Sequence, residues 1–373
     1  MNSYRIINGI IVLKDQLLFD RHVIVKDNRI IDITDAPQKY RELETIDAQG
    51  NYISPGFVEL HIHGCSHYGF DLLEQLNIEE IVEFLKRRGV NTFVPTFQCN
   101  REVIRNFAKR AGGSEILKKA IPGIYIEGPF INEQKKGGIS ADYITRPDIH
   151  VLKEIIKESN GLLKLMTIAP ELEGNKAVFN ELIENHIIPC LGHSNAEIKD
   201  TSIANDYQVN ITHLFNAMSP VSHKKSGLAM LPFINRDVFF ELNGDGVHVS
   251  DEVIMMCYNA LNKDRCILVS DAVISAGLEH GEYNSYGRTV ISGKNGVRYR
   301  EDNGLMGSNL LINDILKRFI KLTGAPLYEG IRFVSYNPCQ LLGISDRKGS
   351  IELGKEADLL LLDKELNVIE NFY

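Results

Sequence analysis

The residues of this chain best equipped for chemistry are imidazoles and carboxylates that close short apolar runs. The stretch SPGFVELHIHG (54–64) ends on His61 and His63, one residue apart. Alternate side chains of a β-strand leave the same face, so both rings would project together. GIYIEG ends on Glu127, PCLGH on His193, VNITH on His213 and CILVSD on Asp271. Four imidazoles and two carboxylates without a thiolate suit a divalent transition metal such as zinc, iron, manganese or cobalt rather than calcium. Each residue alone has a plainer reading: a histidine in an apolar run is usually a hydrogen-bonded structural residue, Glu127 a paired carboxylate, Asp271 a helix N-cap. Their joint placement at strand ends carries the metal reading. His22, His150, His186, His223 and His280 fall in loops, helices or edge segments and read as surface residues, while His67 stays open between the two roles.

For these side chains to converge, several strands must end together. Strand-like runs occur at 57–63, 90–97, 123–127, 163–168, 187–192, 209–213, 238–243 and 266–271, separated by helical segments. In NIEEIVEFLKRRG (77–89), Asn77 is a candidate N-cap with Glu80 three residues on. Ile78, Ile81, Phe84 and Leu85 form an apolar stripe, and Gly89 suits a C-terminal cap. Eight strands alternating with helices predict a (β/α)8 barrel, whose chemistry collects at the C-terminal rim of the strands. A doubly wound open sheet is the competing architecture, but no Gly-rich dinucleotide fingerprint follows the first strand. Residues 4–34 and the segment KGSIELGKEADLLLLDKELNVIENF read as short strands that cannot bury a face alone. The two termini are therefore expected to build one small β domain from 1–53 and 346–373, leaving 54–345 to the barrel.

Composition agrees with a globular enzyme. The 373 residues are 44% hydrophobic and 24% charged with a net charge of −8, and no basic run suggests a nucleic-acid partner. An anionic substrate would need positive charge supplied locally. No basic leader followed by a long apolar segment opens the chain, and no run of about 18 apolar residues occurs, so the expectation is a cytoplasmic protein with no membrane partner. Six cysteines without CxxC spacing are expected to be reduced core residues.

PGFVELHIHG, YIEGPFIN, LGHSNA, THLFNAMSP, NGDGVHVS, LVSDA, LMGS and NPCQLLGISDRKGSIELGKEADLLLLD, in this order, resemble the N-acetylglucosamine-6-phosphate deacetylases of the amidohydrolase superfamily nearly end to end. An HxH pair marks only the superfamily, whereas EGPF with GHSNA and THLFNAM marks the deacetylase group. The resemblance implies a barrel beside a small β domain, and a reaction giving acetate and glucosamine 6-phosphate. It also implies that Glu127, His193 and His213 hold the principal metal and that Asp271 is the catalytic acid/base. Members with the HxH pair bind two metals across the glutamate and members without it bind one, so His61 and His63 imply a second position. Sugar-phosphate contacts carried over are Gly138 and Ile139 of KKGGIS, Asn216 and Ala217, Asp245, Gly246, Val247 and His248, and Leu305, Met306 and Gly307.

Two positions depart from the family pattern. Many members have histidine where Ile139 stands and arginine where Lys224 stands, the latter reaching the phosphate of a neighbouring subunit. A homodimer is therefore implied, and both departures open the alternative of an N-acetylgalactosamine-6-phosphate substrate. A cyclic-amide hydrolase is a further alternative, but such enzymes often use a carbamylated lysine ending strand four, whereas Lys164 begins that strand. An inactive barrel scaffold would have no need of the six rim residues.

Overall fold

The computed structural model describes residues 2–72 and 76–373. Eight strands form one sheet in chain order: Phe57–Ile62, Val90–Gln98, Ile124–Glu127, Leu163–Ile168, Ile188–Leu191, Asn210–Ile211, Phe239–Asn243 and Cys266–Val269. Successive pairs from the second strand to the eighth are parallel, with Gln98 opposite Glu127 and Cys190 opposite Asn210. The eighth run returns to the first through a parallel bridge of Ile62 with Ala272, Asp271 N–H donating to His61 C=O at 3.0 Å and His63 N–H to Ala272 C=O at 2.8 Å. The sheet thus closes as a (β/α)8 barrel rather than lying open. Its interior strands read as near-continuous apolar runs because they are buried on both faces.

The elements follow the predicted runs within a residue or two at each end, and the sixth keeps the least of its run. The predicted 209–213 shortens to Asn210–Ile211 because the His213 N–H leaves the ladder and donates to the Glu241 carboxylate at 2.9 Å. The predicted helix at 77–89 forms over Ile78–Lys86; Asn77 Oδ1 accepts from Glu80 N–H, Asn77 Nδ2 donates back to Glu80, and Gly89 takes the left-handed φ of 82° that ends the turn.

The chain divides into two compact units, one of residues 1–59, 82–92 and 312–373 and one of 60–81 and 93–311. The first contains two sheets. Tyr4–Ile7, His22–Lys26, Arg29–Thr34 and Glu44–Asp47 make one; Ile10–Val12, Leu17–Leu18, Tyr52–Pro55, Leu359–Leu362 and Val368–Phe372 make the other. Leu359 opposite Pro55 and Leu361 opposite Ile53 bring the two ends of the chain together. Ile6, Val23, Val25, Ile30, Ile53, Leu359 and Leu361 share one apolar core. In the second unit, residues 281–307 fold as a four-stranded antiparallel sheet, Gly281–Ser285, Arg288–Gly293, Gly296–Tyr299 and Leu305–Gly307, on a small core of Val273, Val290, Val297 and Tyr299. The residues had suggested no element there. All six cysteines are free and buried, and among the described residues no helix is long and apolar enough to cross a membrane.

One buried ion pair fastens the C-terminal strands to the start of the second barrel strand. Lys348 Nζ lies 2.9 Å from Asp358 Oδ2 with side chains 3% and 6% exposed, and Lys348 also donates to Thr92 while Asn91 donates to Asp358. Removing one partner of such a pair strands a buried charge. Asp358→Ala is expected to cost about 3 to 5 kcal/mol of stability, and Lys348→Met in the same chain to recover most of it, measured by chemical denaturation of the single and double variants.

Candidate metal centre and pocket

The first unit of chemistry is Glu127, buried at the end of the third barrel strand. Its Oε1 lies 2.8 Å from His193 Nε2 and 2.7 Å from His213 Nε2, and those two ring nitrogens are 3.1 Å apart. Its Oε2 faces His63 Nε2 at 3.3 Å, which in turn is 3.3 Å from His61 Nε2. Two donor groups, Glu127 with His193 and His213, and Glu127 with His61 and His63, therefore share one carboxylate.

Strand geometry delivers these rings. His61 and His63 straddle the end of the first strand; His193, His213 and Asp271 follow the fifth, sixth and eighth strands with φ of 45°, 27° and 50°. Left-handed backbone at non-glycine residues costs on the order of 1–2 kcal/mol each, and here it ends each run abruptly and aims the side chain inward. Strain of this kind gathers at functional sites.

The outer nitrogens of the rings settle which atom faces the centre. His61 Nδ1 meets Glu241 Oε2 at 2.8 Å and His193 Nδ1 meets the Lys135 carbonyl at 2.7 Å. Both acceptors require Nδ1 to carry a proton, so Nε2 is the atom each ring turns toward the centre and the one that can offer a lone pair to a metal, as metal-binding histidines are usually held. His213 Nδ1 is buried with no hydrogen-bond partner among the described residues. Two Nε2 atoms and one carboxylate oxygen in mutual contact cannot all be satisfied by protons without repulsion; a divalent cation of the transition series suits this nitrogen-and-oxygen set. The donors present fit such an ion.

Electrostatics point the same way. Burial alone would raise the Glu127 carboxyl, but contacts with His193, His213 and His63 hold it well below the usual carboxylate range. Burial opposes charge on His61, yet Glu241, Glu127 and Asp271 pull it up to about 10. Carboxylates that favour positive charge on a neighbouring ring favour a metal cation on the same grounds.

Asp271 reaches the same centre from the eighth strand. Its Oδ1 is 3.5 Å from His63 Nε2 and 3.8 Å from His61 Nε2; its Oδ2 is 3.2 Å from His248 Nε2. His248 Nδ1 donates to Asp245 Oδ2 at 2.7 Å, and Asp245 Oδ1 accepts the N–H groups of Val247 and His248. Burial would raise Asp271, but the His248 hydrogen bond with the charges of His61 and His63 brings it to about 2. Burial would lower His248, and Asp245 with Asp271 raises it to about 10. Asp271 is thus an ionised carboxylate with one oxygen held and one facing the histidines.

A cavity of about 220 Å3 opens over this centre. Of the sequence-derived candidates, His63, Glu127, His193, His213, Asp271, Gly138, Ile139, Asn216, Ala217, His248, Leu305 and Met306 line it. His61 is fully buried behind, Asp245 stands behind His248, and the strand Leu305–Gly307 lies against 271–273 so closely that a Cβ on Gly307 would meet Asp271 O at 2.8 Å. Lys224 is exposed, outside the cavity lining, with its N–H on Ser222. The Asn216 N–H already donates to His213 C=O. His67 is exposed and apart from the cluster. Lys164 sits at the far end of the fourth strand, where it cannot bridge the centre.

Several contributors escaped the sequence. Glu241 accepts from His61, from the His213 N–H and from Asn210 Nδ2 at 2.6 Å; the signal was a glutamate inside the apolar run VFFELN. Gln98, Tyr286 and Tyr299 line the cavity. Beneath the centre, Tyr125, Thr167 and Thr212 join their hydroxyls in a triangle of 2.8, 3.0 and 3.2 Å.

Residues 52–373 match the model of the amidohydrolase family. The chain is 28% identical over 354 residues to the N-acetylglucosamine-6-phosphate deacetylase of Lysinibacillus sphaericus, covering 92% of this chain and 89% of the relative. It is 27% identical over 363 residues to the N-acetylgalactosamine-6-phosphate deacetylase of Escherichia coli O157:H7, covering 94% and 93%. The crystal structure of the N-acetylglucosamine-6-phosphate deacetylase of Thermotoga maritima superposes with a TM-score of 0.86 at 30% identity, covering 99% of this chain and 97% of that one.

Glu241→Gln keeps volume but withdraws the charge that orients His61. The variant is expected to bind divalent metal about 10- to 100-fold more weakly, read by competition against a chromogenic chelator.

Proposed function

The chain belongs to the amidohydrolase family, and from that premise we propose that it hydrolyses the N-acetyl group of N-acetylglucosamine 6-phosphate to acetate and glucosamine 6-phosphate. The observation that carries the reading is the convergence of Asp271, already ionised and clamped by His248, on a carboxylate shared by four imidazoles. Its support is the deacetylase chemistry of relatives that align along most of the chain.

We assign the principal metal to Glu127, His193 and His213 and a second to His61 and His63 across Glu127, one or two ions of zinc, iron, manganese or cobalt per subunit. Such an ion, when bound, lowers the pKa of water from 15.7 to about 7 and polarises an amide carbonyl. The chain's own residues do the rest. Asp271 takes the proton of the attacking water, and His248 keeps the carboxylate aligned through Oδ2. As the carbon–nitrogen bond breaks, Asp271 returns that proton to the departing amine, so one carboxylate is base and then acid. Gly138, Ile139, Asn216, Ala217, Leu305 and Met306 shape the sugar site, with Asp245, Gly246 and Val247 fixing His248 and Gly307 admitting the strand beside Asp271. With Asn216 N–H engaged, phosphate recognition falls to the Ala217 side of that loop and to a cation. We assign that cation to Lys224 of a second subunit in a cytoplasmic homodimer, where its exposure leaves it free to reach outward. The small β domain is assigned to 1–53 and 346–373, in keeping with the pairing of 359–362 on 52–55.

The test is acetate release from paired N-acetylglucosamine and N-acetylgalactosamine substrates, each with and without the 6-phosphate, with metal measured on the same preparation. Preference for the galacto configuration would reassign the sugar, and full turnover in metal-free protein would refute the metal-dependent reading. Asp271→Asn is expected to lower kcat by roughly 10² to 10⁴ while the principal metal stays bound. Lys224→Ala is expected to raise KM for the phosphorylated sugar and to leave the unphosphorylated one little changed; equal effects on both would remove Lys224 from the phosphate site.

A further inference from the structure

One wall of the cavity has no part in the chemistry above: the tip of the inserted hairpin. Ser285 pairs with Arg288, so only Tyr286 and Gly287 make the turn, and both have positive φ, 54° and 74°. This is the signature of a type I′ turn, whose first central position favours asparagine, aspartate or glycine. Tyrosine is a poor residue for that backbone, because its side chain crowds the left-handed conformation. Strain carried by a residue that lines a cavity is a reason to ask what its side chain does.

The ring of Tyr286 lines the cavity, and its hydroxyl donates to Asp71 Oδ2 at 3.2 Å, across 215 residues of sequence. The same oxygen accepts the Gln98 N–H at 3.2 Å. Gln98 closes the second barrel strand opposite Glu127, lines the cavity itself, and accepts the Ser140 N–H at 2.8 Å through its side chain. The hairpin tip is therefore fastened beside the strand end that adjoins Glu127. An amide whose carbonyl lies at the shared carboxylate carries its acyl substituent into this same cavity, one wall of which Tyr286 forms.

We propose that Tyr286 is a specificity-determining residue that limits the size of the acyl group, and that Asp71 is the positioning residue that pins it. The inference rests on the reading of this pocket as an N-acyl sugar site and adds to it the part of the wall that selects the acyl chain. A ring held at both its backbone and its hydroxyl cannot retreat to admit further methylenes, whereas a free tyrosine at a hairpin tip could swing aside.

The test compares acetyl, propionyl and butyryl derivatives of the same amino sugar 6-phosphate. Tyr286→Ala is expected to raise the propionyl-to-acetyl ratio of kcat/KM by roughly tenfold, the lower range for one methylene in an apolar pocket. Tyr286→Phe and Asp71→Ala, which cut the tether and keep the ring, are expected to raise KM more than they lower kcat. Asp71→Asn retains an acceptor oxygen and should restore most of what Asp71→Ala loses. Amide hydrogen exchange over 281–293 reads the tether without substrate: faster exchange in Tyr286→Phe and Asp71→Ala, with Asp71→Asn close to the parent, supports it. An unchanged acyl preference in Tyr286→Ala overturns the specificity role, and unchanged exchange overturns the tether. If the parent protein releases no acyl group from any of these sugars, the deacetylase reading itself fails while the exchange experiment still judges the Asp71–Tyr286 contact.

Discussion

The site is organised around a single difficulty, the burial of an ionised carboxylate at the end of an apolar strand. An isolated charge in such surroundings costs several kcal/mol and normally neutralises itself by taking up a proton. Glu127 does the opposite, because both its oxygens are occupied by ring nitrogens. Each ring must then be turned correctly, and Glu241 and the Lys135 carbonyl turn His61 and His193 by claiming their outer nitrogens. Glu241 is itself a buried acid, satisfied by a ring, a backbone N–H and an amide. The same logic repeats at Asp271, His248 and Asp245, where charges alternate outward from the cavity. Each carboxylate is tolerable only because of the neighbour it orients.

This chain of dependence is built into the barrel's closure. The bridge that joins the eighth run to the first passes through Asp271 N–H and His61 C=O, so two residues of the centre also form the seam of the sheet. The left-handed φ at His193, His213 and Asp271 shows that the strands are cut short where their side chains must turn inward. At the sixth strand the cause is visible in one bond: the His213 N–H exchanges a ladder carbonyl for the Glu241 carboxylate.

Much of this was legible in the residues because it breaks a local rule. A histidine, glutamate or aspartate at the end of an apolar run is conspicuous, and six such breaks mark the rim. The eight strands were legible for the complementary reason, since parallel strands buried on both faces read as unbroken apolar runs. Glu241 breaks the same rule but sits within its run, and its partners, His61 and the His213 N–H, are 180 and 28 positions away. Gln98 and Tyr286 break no rule of composition. Their place in the cavity comes from strand register and from a two-residue turn, neither of which a residue type announces. The antiparallel sheet of 281–307 leaves only a faint mark, Tyr286-Gly287 and Asn295-Gly296 punctuating alternating residues, a pattern of hairpins rather than of a barrel crossover.

The hydroxyl triangle under the centre has a consequence for the floor of the barrel. Tyr125, Thr167 and Thr212 are three hydroxyls joined by three hydrogen bonds, so each rests on both of the others, and mutually bonded groups of this kind strengthen one another. Removing any one hydroxyl strips a partner from two buried groups at once, which ties the polarity of this floor to all three residues together.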